Sequence, residues 1–83
     1  MEGMNGMFIK LLRHFTEQLT QEALAEKVGI SQSTLSKYEA GILKVSPDAE
    51  RIIRKAFTEM GLDESDQIFL YKVMNNHNQK GDK

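Results

Sequence analysis

The sequence predicts an all-α fold, a compact bundle of five helices. Apolar residues recur at spacings of three and four, which is the period of one helix face. Helix-capping residues precede these stripes and glycines follow them. No segment shows the sustained apolar–polar alternation of a strand. The 83 residues allow one domain.

The first helix is predicted from an apolar stripe near the start of the chain. Its residues are spaced by four, three and four, so they share one face, with Leu11 at the flank. Residues 1–6 contain two Gly and two Met and are expected to form a flexible lead. The stripe consists of Phe8, Leu12, Phe15 and Leu19.

Two short helices follow, separated by a three-residue turn. Thr20 is a good N-cap for a second helix from Gln21 to about Val28, with Leu24, Ala25 and Val28 inward. Gly29 follows the last apolar residue, where a left-handed conformation favours glycine. Ser31 then caps a third helix, from about Gln32 to Ala40, which ends at Gly41.

The second half of the chain predicts two further helices. Ser46 caps the fourth helix and Pro47 occupies its first position, where a missing N–H costs nothing. Its stripe comprises Ala49, Ile52, Ile53, Ala56, Phe57 and Met60, and Gly61 closes it. Asp63 caps the fifth helix, and residues 75–83 are expected to be a polar, disordered tail. The fifth helix has more apolar residues than one buried face needs, namely Ile68, Phe69, Tyr71, Val73 and Met74.

Composition excludes several classes of protein. Without cysteine there is no disulfide framework and no thiolate metal site. No apolar run is long enough to span a bilayer, and residues 1–6 lack the charged-then-apolar order of a signal peptide. We therefore expect a cytoplasmic location and no membrane partner.

Nothing in the sequence favours an enzyme. There is no glycine-rich phosphate loop and no nucleophile paired with a base at useful spacing. The acids Asp63, Glu64 and Asp66 are explained by the positive end of the fifth helix. His14 and His77 are isolated, so we expect no metal ion and no cofactor.

The third helix carries a polar ridge. Leu35 and Tyr38 are three residues apart and predicted to face the core, which leaves four polar residues on the opposite side. Gln, Ser and Lys are side chains that hydrogen-bond base edges in the major groove. The same pattern also fits an ordinary solvated helix face. The recognition ridge, as we name it, consists of Gln32, Ser33, Ser36 and Lys37.

Residues 20–41 resemble the helix-turn-helix of the Cro and phage-repressor (Xre-type) family. The resemblance covers roughly residues 8–70 and implies a phage-repressor type of DNA-binding domain, which we place at residues 7–74. Ser46-Pro47 resembles the family's entry to helix four, and residues 60–62 resemble its exit. The matched positions are Thr20-Gln21, Leu24-Ala25, Gly29 and Glu39-Ala40-Gly41.

The resemblance implies a role for individual residues. Gln32, Ser33 and Lys37 lie where family members touch base edges, and Ser36 of the ridge is added to them. Glu39 lies where many members form a buried ion pair with an arginine of helix one; here the family frame puts His14 at the arginine's place, with Arg13 one position earlier. Predicted phosphate contacts are Thr20, Gln21, Ser31, Thr34 and Lys44, with Ser36 an alternative to Thr34.

The resemblance also implies that the protein forms a dimer and acts as a transcriptional repressor. One recognition helix contacts few bases, and family members usually bind two half-sites as dimers. The surplus apolar residues of the fifth helix would supply a two-fold interface. Its predicted residues are Phe69, Tyr71, Val73 and Met74.

Charge keeps a second interpretation open. The net charge is −1, and residues 1–47 carry five basic and five acidic residues, whereas DNA-binding domains are usually basic. A protein-interaction module on the same fold, an antirepressor or antitoxin-like partner binder, is therefore the alternative. We expect double-stranded DNA as the ligand of a transcriptional regulator, with a regulatory protein as a further partner.

Overall fold

The computed structural model describes the backbone of residues 4–80 and the side chains of residues 4–75. The described part is all-helical, and its radius of gyration of 12.4 Å is close to the value of about 12 Å expected for a compact chain of this length. The predicted fold class is confirmed. The helices are α1 (Gly6–His14), α2 (Gln21–Val28), α3 (Gln32–Glu39), α4 (Pro47–Glu59) and α5 (Glu64–Lys80).

Helix α1 is shorter than the stripe predicts. It ends at His14, so Phe15 does not join the core but is 58% exposed. The chain then turns through Glu17 and Gln18, both at positive φ, and the Leu19 N–H donates to the Arg13 carbonyl at 3.1 Å. The prediction that Phe15 and Leu19 continue the helix is wrong, because this turn replaces the helix's last residues.

The segment before α1 is packed, in contrast to the expected flexible lead. Met4 is buried, and its N–H donates to Glu50 Oε1 of α4 at 3.2 Å. The Asn5 side chain caps α1 by accepting the N–H of Met7 at 2.7 Å. At Gly6 a Cβ would collide with the Tyr38 carbonyl, so glycine allows α1 to cross α3 closely. Residues 1–3 lie outside the described residues.

Helices α2 and α3 form the predicted pair. Thr20 caps α2 by accepting the N–H of Ala23 at 3.0 Å, and Ser31 caps α3 by accepting that of Thr34 at 3.1 Å. Gly29, at φ 74°, makes the turn between them. The inward residues of the pair are Leu24, Ala25, Val28, Leu35 and Tyr38, all buried as predicted.

Helix α4 packs against α2 with the face made by Ala49, Ile53, Ala56 and Phe57. Ser46 caps it at the predicted position, ahead of Pro47. Ile52, predicted to join the buried stripe, is 41% exposed because it lies at the edge of that face. The correction leaves an isoleucine on the surface of α4.

Helix α5 packs on α1 and α4 through a face that includes one residue outside the apolar set noted in the sequence, Leu70, and one polar residue, Gln67. Its buried residues are Gln67 and Leu70, and the Tyr71 ring meets Phe8 edge-on at 5.5 Å between centroids. Asp63 and Asp66 each accept the other's backbone N–H, at 3.0 and 3.2 Å, in a reciprocal cap of the kind predicted for Asp63. The helix continues to Lys80, into the segment 75–83 expected to be disordered; residues 81–83 lie outside the described residues.

Candidate nucleic-acid interface

The recognition ridge lies on the outer surface of α3. All four of its side chains are exposed, whereas Leu35 and Tyr38 on the opposite side of the helix are buried. The burial of these two residues fixes the rotation of α3, so the ridge points away from the bundle. The small side chain of Ala40 is exposed one turn beyond Ser36, at the carboxyl end of this surface.

The two hydroxyls at the start of α3 interact with each other. Besides capping the helix, Ser31 donates its hydroxyl hydrogen to Thr34 Oγ1 at 2.9 Å. The bond between the two hydroxyls uses one of their two hydrogens, which leaves the other available to an outside oxygen. The predicted phosphate contacts Ser31 and Thr34 can therefore offer one hydroxyl donor, in a position fixed by their mutual bond.

The start of α2 presents backbone donors next to polar side chains. Thr20 is exposed, and its Oγ1 is occupied as acceptor by the cap bond. Gln21 is half-buried, and its amide nitrogen donates to Glu39 Oε1 at 3.2 Å rather than pointing to solvent. The first N–H groups of a helix have no partner within it, so this end attracts an anion.

A buried ion pair connects the ends of α1 and α3. Arg13 donates from Nε to Glu39 Oε2 and from a terminal nitrogen to Glu39 Oε1, both at 2.8 Å. The side chains are 12% and 5% exposed, and the other terminal nitrogen of Arg13 donates to the Leu19 carbonyl at 2.8 Å. The basic partner of Glu39 is thus Arg13, and His14, which the family frame favours, is exposed.

The surroundings of Arg13 favour its charged form. Hydrogen bonding to Glu39 raises the pKa of Arg13; burial opposes the shift, and the negative charge of Glu39 adds to it. The planar guanidinium binds the carboxylate through two parallel bonds, the strongest geometry for such a pair. Because Glu39 also accepts from Gln21, it fixes α1, the start of α2 and the end of α3 to one another.

An open depression borders the start of α2. The sequence predicted no role for Gln18 in this depression, and it predicted His14 only as a candidate partner of Glu39. Both residues line the depression because α1 ends early, at His14, and the chain turns through Gln18 before α2 begins. The depression is lined by Arg13, His14, Gln18, Leu19, Thr20 and Gln21.

Basic side chains in the first half of the chain are mostly exposed lysines. Lys37 belongs to the ridge and Lys44 follows in the loop between α3 and α4, both exposed. The arginines, in contrast, all pair with acids: Arg13 with Glu39, Arg51 with Asp48 and Arg54 with Glu50. Any positive potential at this surface therefore comes from lysines.

Within residues 4–80, no group of three or more His, Cys, Asp or Glu side chains is arranged to hold a metal ion. No helix of this part of the chain is both long and apolar enough to cross a membrane.

The family comparison agrees with this geometry. A family model described as helix-turn-helix matches residues 9–54, more than half of the chain, and this range includes α2, the turn and α3. No curated protein and no solved structure is similar enough to the chain to be matched to it.

Proposed function

Because the chain belongs to the Xre/Cro-type helix-turn-helix family of DNA-binding transcriptional regulators, we propose that it is a repressor that binds a palindromic operator as a dimer. The observation that carries the proposal is the recognition ridge, a row of four exposed polar side chains on the second helix of the matched motif. Binding would act sterically, by occupying DNA that polymerase needs.

Base reading is assigned to the ridge. A helix fits the major groove, where a glutamine amide can bond adenine through two hydrogen bonds and a lysine can reach guanine. Gln32 is in the first turn of α3, the part of a recognition helix that usually contacts base edges. Ser33, Ser36 and Lys37 would contact the neighbouring bases.

Phosphate contacts are assigned to both sides of the ridge. The start of α2 would hold one phosphate through its free N–H groups and Thr20, with Gln21 contributing its backbone. Thr34, oriented by Ser31, and Lys44 would contact the same backbone elsewhere. Such contacts set the position of the protein on the duplex, while the ridge selects the sequence.

The two-fold interface is assigned to the outer face of α5. Phe69 is 65% exposed and Val73, one turn later, is 46% exposed. Tyr71 and Met74, which the sequence also assigned to the interface, are half-buried against the core of their own chain, so they support the interface from behind. Ile68, at 47% exposure, adds to the apolar surface instead.

Selection from a random duplex library tests the proposal. We expect a palindromic motif with half-sites about one helical turn apart, bound more weakly as salt rises. On the selected duplex, Gln32→Ala should lose about 1–3 kcal/mol and relax the preference at one base position, as expected for a side chain that bonds one base. Fluorescence anisotropy on a panel of single-base variants measures both effects.

Lys44→Ala serves as the contrasting variant. A phosphate contact contributes equally to every sequence, so this change should weaken binding to the whole panel by one common factor. If Gln32→Ala behaves like Lys44→Ala, Gln32 does not read a base. If the unaltered protein binds no duplex at low salt, DNA reading is excluded and the protein-interaction module becomes the better interpretation.

A further inference from the structure

Ile42 is an apolar side chain with no apolar partner at the end of the recognition helix. It is 74% exposed, more than any other exposed large apolar residue of the described chain. The exposure follows from how α3 ends. Gly41, at φ 78°, donates its N–H to the Tyr38 carbonyl at 3.1 Å, and Ile42 donates to the Lys37 carbonyl at 3.0 Å.

These two bonds form a Schellman motif, in which the residue after the glycine usually packs an apolar side chain on the last turns of the helix. Here the helix positions it would cover are Lys37 and Ser36, both polar and exposed. Ile42 is therefore held by backbone hydrogen bonds but left without the contact that normally covers such a residue.

The same bonds place Ile42 at the carboxyl end of the recognition ridge. The Lys37 carbonyl also accepts the N–H of Leu43 at 3.2 Å, so the chain leaves α3 directly beside the last residue of the ridge. The eight residues of α3 extend about 12 Å, a few base-pair steps of a duplex. When the recognition ridge lies in the major groove, Ile42 lies at the edge of the same contact surface.

The major groove offers one apolar group for such a side chain, the C5-methyl of thymine. We propose that Ile42 reads the methyl group of a thymine at the edge of each half-site; this inference rests on the proposed function. Lys44, exposed two residues beyond Ile42 in the chain, matches a phosphate at the edge of the groove, and Lys37 of the ridge adds positive charge on the other side of Ile42. This charge favours DNA over an apolar protein surface as the occupant.

The test replaces thymines of the selected duplex, one at a time in one half-site, by deoxyuridine, which lacks only the methyl group. The unaltered protein should lose about fourfold in affinity at one thymine, the value expected for one buried methyl group. Ile42→Ala should bind the two duplexes equally. Ile52→Ala, the same truncation at an exposed position of α4, should keep the fourfold ratio.

Two outcomes overturn the inference. In one, Ile42→Ala keeps the thymine-to-deoxyuridine ratio of the unaltered protein, whether or not it weakens every duplex by one common factor as the loss of a backbone contact would. In the other, no thymine methyl of the half-site affects binding. Both leave the proposed function in place, whereas failure to select any duplex would overturn both. A thermal unfolding curve checks that the Ile42→Ala protein remains folded.

Discussion

Glu39 connects three helices through one carboxylate. Its oxygens accept two hydrogen bonds from Arg13 of α1 and one from Gln21 of α2. A buried ion pair of this kind stabilises little compared with apolar residues of the same size, but the loss of one partner leaves a buried charge without compensation. The role of Glu39 here is to hold the start of α2 and the end of α3 in a fixed relative position.

Glu39→Gln should lower the free energy of unfolding by about 3 kcal/mol, because it leaves the Arg13 guanidinium largely buried without a carboxylate. Urea unfolding followed by circular dichroism measures the change. Glu26→Gln, at an exposed acid beyond the first turn of α2, is the matched control and should change stability by less than about 0.5 kcal/mol. A loss as small as the control's would mean that the pair contributes no more than a surface ion pair.

The pH dependence of this pair follows from the raised pKa of Arg13. A basic group whose pKa is higher in the folded state stabilises the fold fully below its unfolded pKa and loses this contribution as pH rises through the folded value. For Arg13 that window is strongly alkaline, so titration of its guanidinium should not affect stability near neutral pH.

Gly6→Ala sets two effects of opposite sign against each other. Helix propensity predicts a gain of at most about 1 kcal/mol for alanine at this first residue of α1. The structure predicts a loss of about 2 kcal/mol instead, because the new Cβ would collide with the Tyr38 carbonyl and force α1 away from α3. The sign of the change in thermal unfolding temperature decides between them.

Met7→Ala is the control for that experiment, since Met7 is the next residue of α1 and is 58% exposed. It should leave the unfolding temperature nearly unchanged. A higher unfolding temperature for Gly6→Ala would show that the two helices do not approach as closely as the structure has them.

At the scale of elements, local chemistry decided which helices the sequence could predict. For α2, α3 and α4 a Ser or Thr cap stands immediately before the first residue, and a glycine within two residues of the last, so their predicted bounds are correct to one residue. For α1 the apolar spacing of Phe8 and Leu12 continues by chance into Phe15, beyond the end of the helix. Positive φ at Glu17 and Gln18 carries no signal in the sequence, because neither residue is glycine.

The candidate site also has features that the sequence predicts and features that it does not. The ridge was predictable because its exposure follows from the buried spacing of Leu35 and Tyr38 alone. The contact from Gln21 to Glu39, the choice of Arg13 over His14, and the unpartnered Ile42 depend on how separate elements meet. The buried Gln67 of α5 is a further case, since an isolated glutamine in a sequence is expected on the surface.

Gln67 holds α5 to the end of α4. It is 3% exposed, and its amide nitrogen lies 2.8 Å from the Leu62 carbonyl, 3.1 Å from Thr58 Oγ1 and 3.3 Å from the Arg54 carbonyl. Its amide oxygen accepts from Arg54 at 3.3 Å. Every polar atom of the side chain is thus satisfied, as a buried amide requires.

Gln67→Leu should therefore destabilise the protein by about 2 kcal/mol although it makes α5 more apolar, because it removes the donor to the Leu62 carbonyl and the acceptor of Arg54 in a largely buried place. Chemical denaturation measures the loss. Lys72→Leu places the same side chain at an exposed position of α5 and should leave stability within about 0.5 kcal/mol. Equal stability of the two variants would contradict the role assigned to Gln67.

For the whole molecule, the near-neutral charge limits how it can bind DNA. The net charge is −1, and each arginine pairs with an acid, so no general attraction to phosphate is expected. Affinity must come from a few placed contacts, and one subunit supplies few. In the proposed dimer, two subunits on one palindrome would double the contacts without changing the charge balance of the surface, so dimerisation would contribute more here than for a basic domain.

Phe69→Glu tests this dependence on the dimer. A charge in the middle of an apolar two-fold interface would face its own copy, so the interface would lose apolar burial and gain like-charge repulsion. We expect sedimentation velocity at high micromolar concentration to show a dimer for the unaltered protein and a monomer for Phe69→Glu. Affinity for the palindrome should fall at least tenfold, because the two half-sites are then bound independently, as expected when linked sites are separated.

Met7→Glu adds the same charge at an exposed apolar position of α1 and should remain dimeric. Since Phe69 is 65% exposed in the single chain, its replacement should not unfold the protein, and circular dichroism verifies this. A single half-site separates the two contributions: Phe69→Glu should bind it as well as the unaltered monomer does, because the ridge of α3 is unchanged. Equal affinity of Phe69→Glu and the unaltered protein for the full palindrome would show that the outer face of α5 is not where the subunits meet.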